Sequence, residues 1–299
     1  MKVALDDRLL SRHVCPQLGP HHWPAGWLLI LLGALTTLTL AAPNDPHDPP
    51  SVALCYRSGV RNSADKHRLS AKQLAQVLES LRAKTGFLDM SFDEDGFLSL
   101  GDRSSEGGSA SARMLLIAAV DGDRAIVLES HNHSSQVVFA RTNRSTIYQS
   151  YTTGERMESQ PIEIDFSDFG KLRGRKEVLA AFDLGFVLLH ELGHCALHLH
   201  DVENSPTELG ECEGYINYIR RELGLPERRN YVARQRHSIL SSEQGGNQRV
   251  ELTFFRHVDK EGQATEEPLS LSWEINRVGA MPIFKGAASK DRATSAGQE

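Results

Sequence analysis

The chain has 299 residues, a formal net charge of -6 at pH 7 and an isoelectric point near 6.1. Hydrophobic residues make up 40% and charged residues 24%, a balance that suits a folded domain and excludes a disordered or low-complexity chain. Lys and Arg are scattered apart from RGRK at 173–176, so there is no electrostatic footprint for nucleic acid, and none is expected as a partner.

At the N-terminus, residues 27–42 (WLLILLGALTTLTLAA) are uncharged and end in small residues, after a segment carrying Lys2, Arg8 and Arg12. This pattern predicts a secretory signal over residues 1–42 and an exported, periplasmic or secreted chain. The long stretch ahead of Trp27 leaves a signal anchor, and so a membrane tether, as the alternative. The proline-rich PNDPHDPPS that follows cannot build a helix or a central strand, so residues 43–66 read as a linker or short propeptide. One domain is expected over 67–284, and a loose tail over 285–299, which lacks apolar content. Of the four cysteines Cys15 would leave with a signal peptide; the remaining three allow at most one disulfide, with Cys195 and Cys212 as the pair considered.

Further along, SAKQLAQVLESLRAK predicts a helix over about 70–84 with Ser70 as N-cap and Gly86 beyond its end. The segment FDEDGFLSLGD lacks Ca²⁺-loop spacing and reads as a turn. RMLLIAAV (113–120) and RAIVLES (124–130), separated by Asp121-Gly122-Asp123, read as a hairpin, with SQVVFAR, STIYQSY and the alternating PIEIDF (161–166) extending an antiparallel sheet. A long apolar helix is expected over 176–200. Ser205-Pro206-Thr207-Glu208 has the form of a capping box that starts a second helix running to Leu223, and RVELTFFRHV with PLSLSWEI forms a late hairpin. The order of elements argues for an α+β fold.

Within the long apolar helix stands His190-Glu191-Leu192-Gly193-His194. Two imidazoles four residues apart share one helix face and can bind one Zn²⁺, while the glutamate between them can act on a metal-activated water as general base. Chance alone would place such a string in roughly one chain of this composition in 25, so the surroundings carry the assignment. Two helices joined by a turn near Glu203 run antiparallel, which puts the partner of His194 near position 212. A catalytic zinc usually takes three protein ligands. Glu211 is the expected third ligand, with Glu213 and Glu208 as rivals that a different register would select. His200 is a further rival: HELGHCALHLHD matches the metzincin pattern except at Leu197, where that pattern has glycine. With Leu there the helix is expected to continue and carry His200 off the ligand face. His198 reads as a supporting residue or helix-end cap, and Tyr215, one turn from Glu211, is a candidate transition-state donor.

HELGHCALH resembles the active helix of ImmA/IrrE-like zinc metallopeptidases, and Glu211-Cys212-Glu213-Gly214 is similar to their E-x-[EQ]-A segment, whose first glutamate binds the metal. NYIRRELGLPERRNY (217–231) resembles the tail of effector-type zinc metallopeptidases of secreted bacterial toxins, which have Glu where this chain has Ile216. The resemblance covers about residues 183–231 and implies a gluzincin-like, zincin-fold peptidase. It implies a zinc metalloendopeptidase acting on a peptide or protein substrate, with PIEIDF as an edge strand that could accept it by strand addition. A secreted effector protease with one narrow target, or a non-catalytic zincin-fold binding module, is the alternative.

Overall fold

The computed structural model describes residues 57–104, 106–149, 154–202, 208–229, 234–236, 249–260, 263–274 and 278; the expected signal segment and tail lie outside them. The first half comprises β1 (Gly59–Asn62), α1 (Ala71–Thr85), β2 (Ser91–Phe92), β3 (Leu98–Ser99), α2 (Ala110–Asp121), β4 (Ala125–Ser130), β5 (Ala140–Thr142), β6 (Thr146–Gln149) and β7 (Arg156–Ile164). The second half comprises α3 (Phe166–Phe169), β8 (Arg173–Gly174), α4 (Lys176–Ala181), α5 (Leu184–Leu197), α6 (Glu211–Glu222), β9 (Glu227–Arg228), β10 (Arg234–Arg236), β11 (Arg249–Lys260) and β12 (Gln263–Glu274). The class is α+β. Strand β1 lies upstream of residue 67, inside the stretch read as a linker, and pairs in parallel with β4.

Helix α1 forms as its sequence predicts. Ser70 and Gln73 complete a capping box, and Gly86 ends the helix at φ 78, a left-handed conformation that glycine adopts without strain. The next segment departs from expectation: RMLLIAAV belongs to a helix, not a strand. Ser109 caps it by accepting from the Ala112 N–H, and burial of Ala112, Leu115, Leu116 and Ala119 follows helical spacing. The run has no period-two alternation, and its Met, Leu and Ala are good helix formers. Asp121-Gly122-Asp123 therefore links a helix to β4 and turns no hairpin. FDEDGFLSLGD does turn, with β2 and β3 paired antiparallel around it.

Because α1 and α2 return the chain between β1 and β4, those strands pair in parallel, as do β4 and β7. Only β5 and β6 run antiparallel, both against β7, so the first sheet is mixed rather than the antiparallel sheet expected. Strand β7, which contains most of PIEIDF, is flanked on both sides and is no edge strand; β5 ends the sheet. The second sheet is built on the β11 and β12 hairpin, as predicted, with β8, β9 and β10 added.

The expected helix over 176–200 is two. The chain breaks at Phe182, and Asp183 caps α5 by accepting from the Phe186 N–H at 3.1 Å, while Lys84 of α1 holds the same side chain at 2.6 Å. Helix α5 is buried on almost every side, as a helix at the centre of a domain must be. Its Leu188, Leu189 and Leu192 join a core with Leu81, Leu115, Leu128, Ile162 and Ile216, and Val187 faces the second core of Phe182, Phe254 and Trp273. Close approach is possible because α5 carries glycine at the contacts. A Cβ at Gly185 would come within 2.8 Å of the Ser80 carbonyl oxygen, and one at Gly193 within 3.0 Å of Cys212 Sγ.

A stability measurement separates the helical from the extended reading of α2. A strand would put residues 114 and 116 on one face, whereas a helix sets them about 200° apart. Met114 is 62% exposed and Leu116 fully buried. Leu116→Ala should cost about 2–5 kcal/mol in urea unfolding and Met114→Ala no more than about 0.5 kcal/mol; equal costs would contradict the helix.

Candidate metal centre

Helix α5 presents His190 and His194 with their Nε2 atoms 3.2 Å apart. The helix stops at Leu197, not at residue 200, because His198 takes the left-handed conformation (φ 55) and its N–H returns to the Gly193 carbonyl. His198 thus is the helix-end cap, and it does the turning that the metzincin pattern gives to glycine. The turn carries Asp201 back over the helix: Oδ1 lies 3.3 Å from His190 Nε2 and Oδ2 lies 3.3 Å from His194 Nε2. From the other side α6 delivers Cys212. His190, His194, Asp201 and Cys212 each offer one ligand atom, and the four atoms lie within 4.8 Å of one another.

This grouping revises the expected ligand set. Helix α6 begins at Glu211, not at Ser205, which lies outside the described residues; Gly210 precedes it as N-cap. With the helix starting there, Glu211 faces outward and its Oε2 accepts the His200 N–H at 3.2 Å. Glu211 is not in the group, and neither is Glu208, which is exposed ahead of the helix. His200 is exposed and contributes its backbone to Glu211. The α6 side chain that joins the histidines is the Cys212 thiol, although α5 ends at Leu197 and α6 starts at Glu211, so the connection is longer than the short turn expected. Asp201 sits in the connection, where no helical periodicity could single it out; its one signal in the sequence was its place directly after the HLH run.

Both imidazoles are set for ligation through Nε2. His194 Nδ1 lies 2.6 Å from the Leu199 carbonyl, which can only accept, so Nδ1 carries a proton and Nε2 is the nitrogen that faces the cluster. His190 Nδ1 faces Glu213 Oε2 at 3.5 Å. Glu213, expected as a rival ligand, stands instead behind His190: Arg220 binds its Oε1 and Arg228 its Oε2 at 2.9 Å. Burial raises the pKa of this carboxyl, but the two guanidiniums overcome it and hold it ionised, down at about 2. Asn217 completes the support, donating to the Arg228 carbonyl and accepting its N–H, both at 2.7 Å. Arg220 also donates to the Ala181 carbonyl. The NYIRRELGLPERR segment is thereby explained as the frame around Glu213.

Electrostatically the spot favours positive charge. Burial works to lower the pKa of both imidazoles, yet Asp201 and Cys212 outweigh it, raising His190 to about 10 and His194 to about 11. A divalent cation placed among these donors would displace the protons they otherwise hold. Geometry supports such an ion. Donors about 2.0–2.1 Å from a tetrahedral centre stand about 3.3 Å from one another, close to the 3.2 and 3.3 Å separations of the nitrogens and the carboxylate.

Glu191 is buried beside the group, and its Oε2 accepts the Thr142 N–H of β5 at 2.7 Å. Burial pushes its carboxyl above the usual range, with His190 and His194 pulling the other way. The hydroxyl of Tyr215, the candidate transition-state donor, donates to the Ser111 carbonyl at 3.0 Å and ties α6 to α2. Cys195 and Cys212 are both free thiols. A second cluster, Glu129, His131 and Glu163, is less apt for an ion, because Arg141 and Asn143 bind the two Glu163 oxygens at 2.7 and 2.8 Å.

Comparisons with models of known protein families, with curated proteins and with solved structures found no match to this chain. The chemistry therefore rests on its own side chains. Removing one arm of the frame should show its weight: Arg220→Met leaves the buried Glu213 with one guanidinium in place of two and should cost about 3–5 kcal/mol in chemical denaturation. Arg229→Met, at an exposed side chain, should change stability by no more than about 0.5 kcal/mol.

Proposed function

We propose that this protein is a zinc-dependent metallohydrolase with a zincin-like site, acting on peptide bonds. The observation that carries the reading is the convergence of the His190 and His194 Nε2 atoms and the Asp201 carboxylate on one point, with the buried Glu191 next to it on the same helix. His190, His194 and Asp201 would hold the ion; two imidazoles and a carboxylate suit Zn²⁺. When bound, such an ion polarises a carbonyl oxygen and lowers the pKa of water toward about 7. Glu191 supplies the proton transfers: its carboxylate takes a proton from the attacking water and passes it to the leaving nitrogen. Glu213 and the Leu199 carbonyl keep the two imidazoles oriented, as partners behind metal ligands do.

Peptide as the substrate class is supported by β5, and not by β7. Strand β5 ends its sheet, and the Thr142 N–H on its outer edge points at Glu191. An extended peptide added along that edge would be laid past the base and the ion. The second reading is a non-catalytic module that keeps the ion as a structural element, favoured by the presence of a fourth donor, Cys212.

The experiment combines metal content with turnover on the full chain. Elemental analysis should find about one Zn²⁺ per chain, lost in His194→Ala. Glu191→Gln should retain the metal and lose peptide-library hydrolysis by on the order of 10²–10⁴-fold. Folded protein without metal would refute the site, and metal retained with turnover unchanged by Glu191→Gln would refute the catalytic role.

A further inference from the structure

We propose that Cys212 is a fourth protein donor to the metal, so that at rest the centre is closed by two nitrogens, one oxygen and one thiolate. Turnover then requires the sulfur to give up its place. The inference rests on the metal site proposed above and names how that site is regulated.

Three observations carry it. Cys212 is fully buried in the first turn of α6, and its sulfur belongs to the same compact group of ligand atoms as His190, His194 and Asp201. The packing of α5 on α6 is built around that sulfur: the helix residue facing it is Gly193, where any side chain would bring a Cβ within 3.0 Å of Sγ. The α6 carboxylates that could have served instead are otherwise engaged, Glu211 with the His200 N–H and Glu213 with Arg220 and Arg228.

The chemistry of the donor set gives the consequence. Three protein ligands leave a position for water or substrate, whereas four describe a closed centre. Binding a divalent ion converts the thiol to thiolate with release of one proton to solvent, and the sulfur–metal bond takes up the remaining position. Opening reverses both changes: the sulfur–metal bond breaks and the thiolate recovers a proton. No oxidant is involved. A soft thiolate also biases the centre toward Zn²⁺ and away from Mg²⁺ or Ca²⁺, which prefer oxygen.

Cobalt reports this directly. Full-length protein is stripped with a chelator, reconstituted with Co²⁺ alone and read by absorption spectroscopy. The expected spectrum has the near-ultraviolet sulfur-to-cobalt charge-transfer band together with the intense visible bands of a four-coordinate ion. Cys212→Ser should lose the charge-transfer band while still binding one Co²⁺, and Cys195→Ser should keep it. Reloaded with Zn²⁺, Cys212→Ser should hydrolyse the peptide library faster than the parent chain. Stoichiometric Co²⁺ without the band overturns the proposal and leaves the three-ligand site standing. A band with no gain in turnover on Cys212→Ser overturns the regulatory half. Failure of the folded parent chain to bind Co²⁺ overturns this proposal and the metal site together. The parent spectrum decides the coordination even if Cys212→Ser does not fold.

Discussion

Helix α5 is surrounded by apolar core on almost every side, and yet it carries two imidazoles and a carboxylate. Polar groups taken out of water destabilise a fold by several kcal/mol unless partners meet them. The rest of the molecule can be read as the supply of those partners. The sheet edge gives Glu191 the Thr142 N–H, the turn after the helix gives His194 the Leu199 carbonyl, and α6 gives His190 the Glu213 carboxylate. Each comes from a different element, so the stripe is only satisfied once the whole domain is assembled.

The same logic continues one layer out. Glu213 is itself a buried charge and would be costly alone, but Arg220 and Arg228 neutralise it and Asn217 fixes the backbone that carries Arg228. Arg220 further reaches the Ala181 carbonyl at the break before α5. A chain of ion pairs and hydrogen bonds thus runs from the end of α4, through α6, to the face of His190. A network of this kind contributes little net stability compared with an apolar filling, but it holds an imidazole in one orientation. That is the requirement of a metal ligand, whose ring must present one particular nitrogen.

The four candidate donors come from two parts of the chain. His190, His194 and Asp201 define three corners from a single continuous stretch of chain, helix plus turn. The fourth corner comes from α6, across a helix contact that Gly193 makes possible. In the proposed function, turnover would depend on how firmly that separate element keeps its sulfur in place.

Sequence by itself determined what is local. The capping box of α1, the β11 and β12 hairpin, the apolar helix and the i, i+4 pair of histidines all follow from rules that act over a few residues. It failed where neighbours decide. RMLLIAAV is helical because Ser109 caps it and a core receives its helical stripe, and β1 and β4 pair in parallel because α1 and α2 intervene. The left-handed turn at His198, which ends α5 early and brings Asp201 over the histidines, is paid for by contacts that no local propensity reports. Only the tertiary structure could start α6 at Glu211. That one boundary rotates Glu211 outward and Cys212 and Glu213 inward, because each residue of a helix turns its side chain by about 100°.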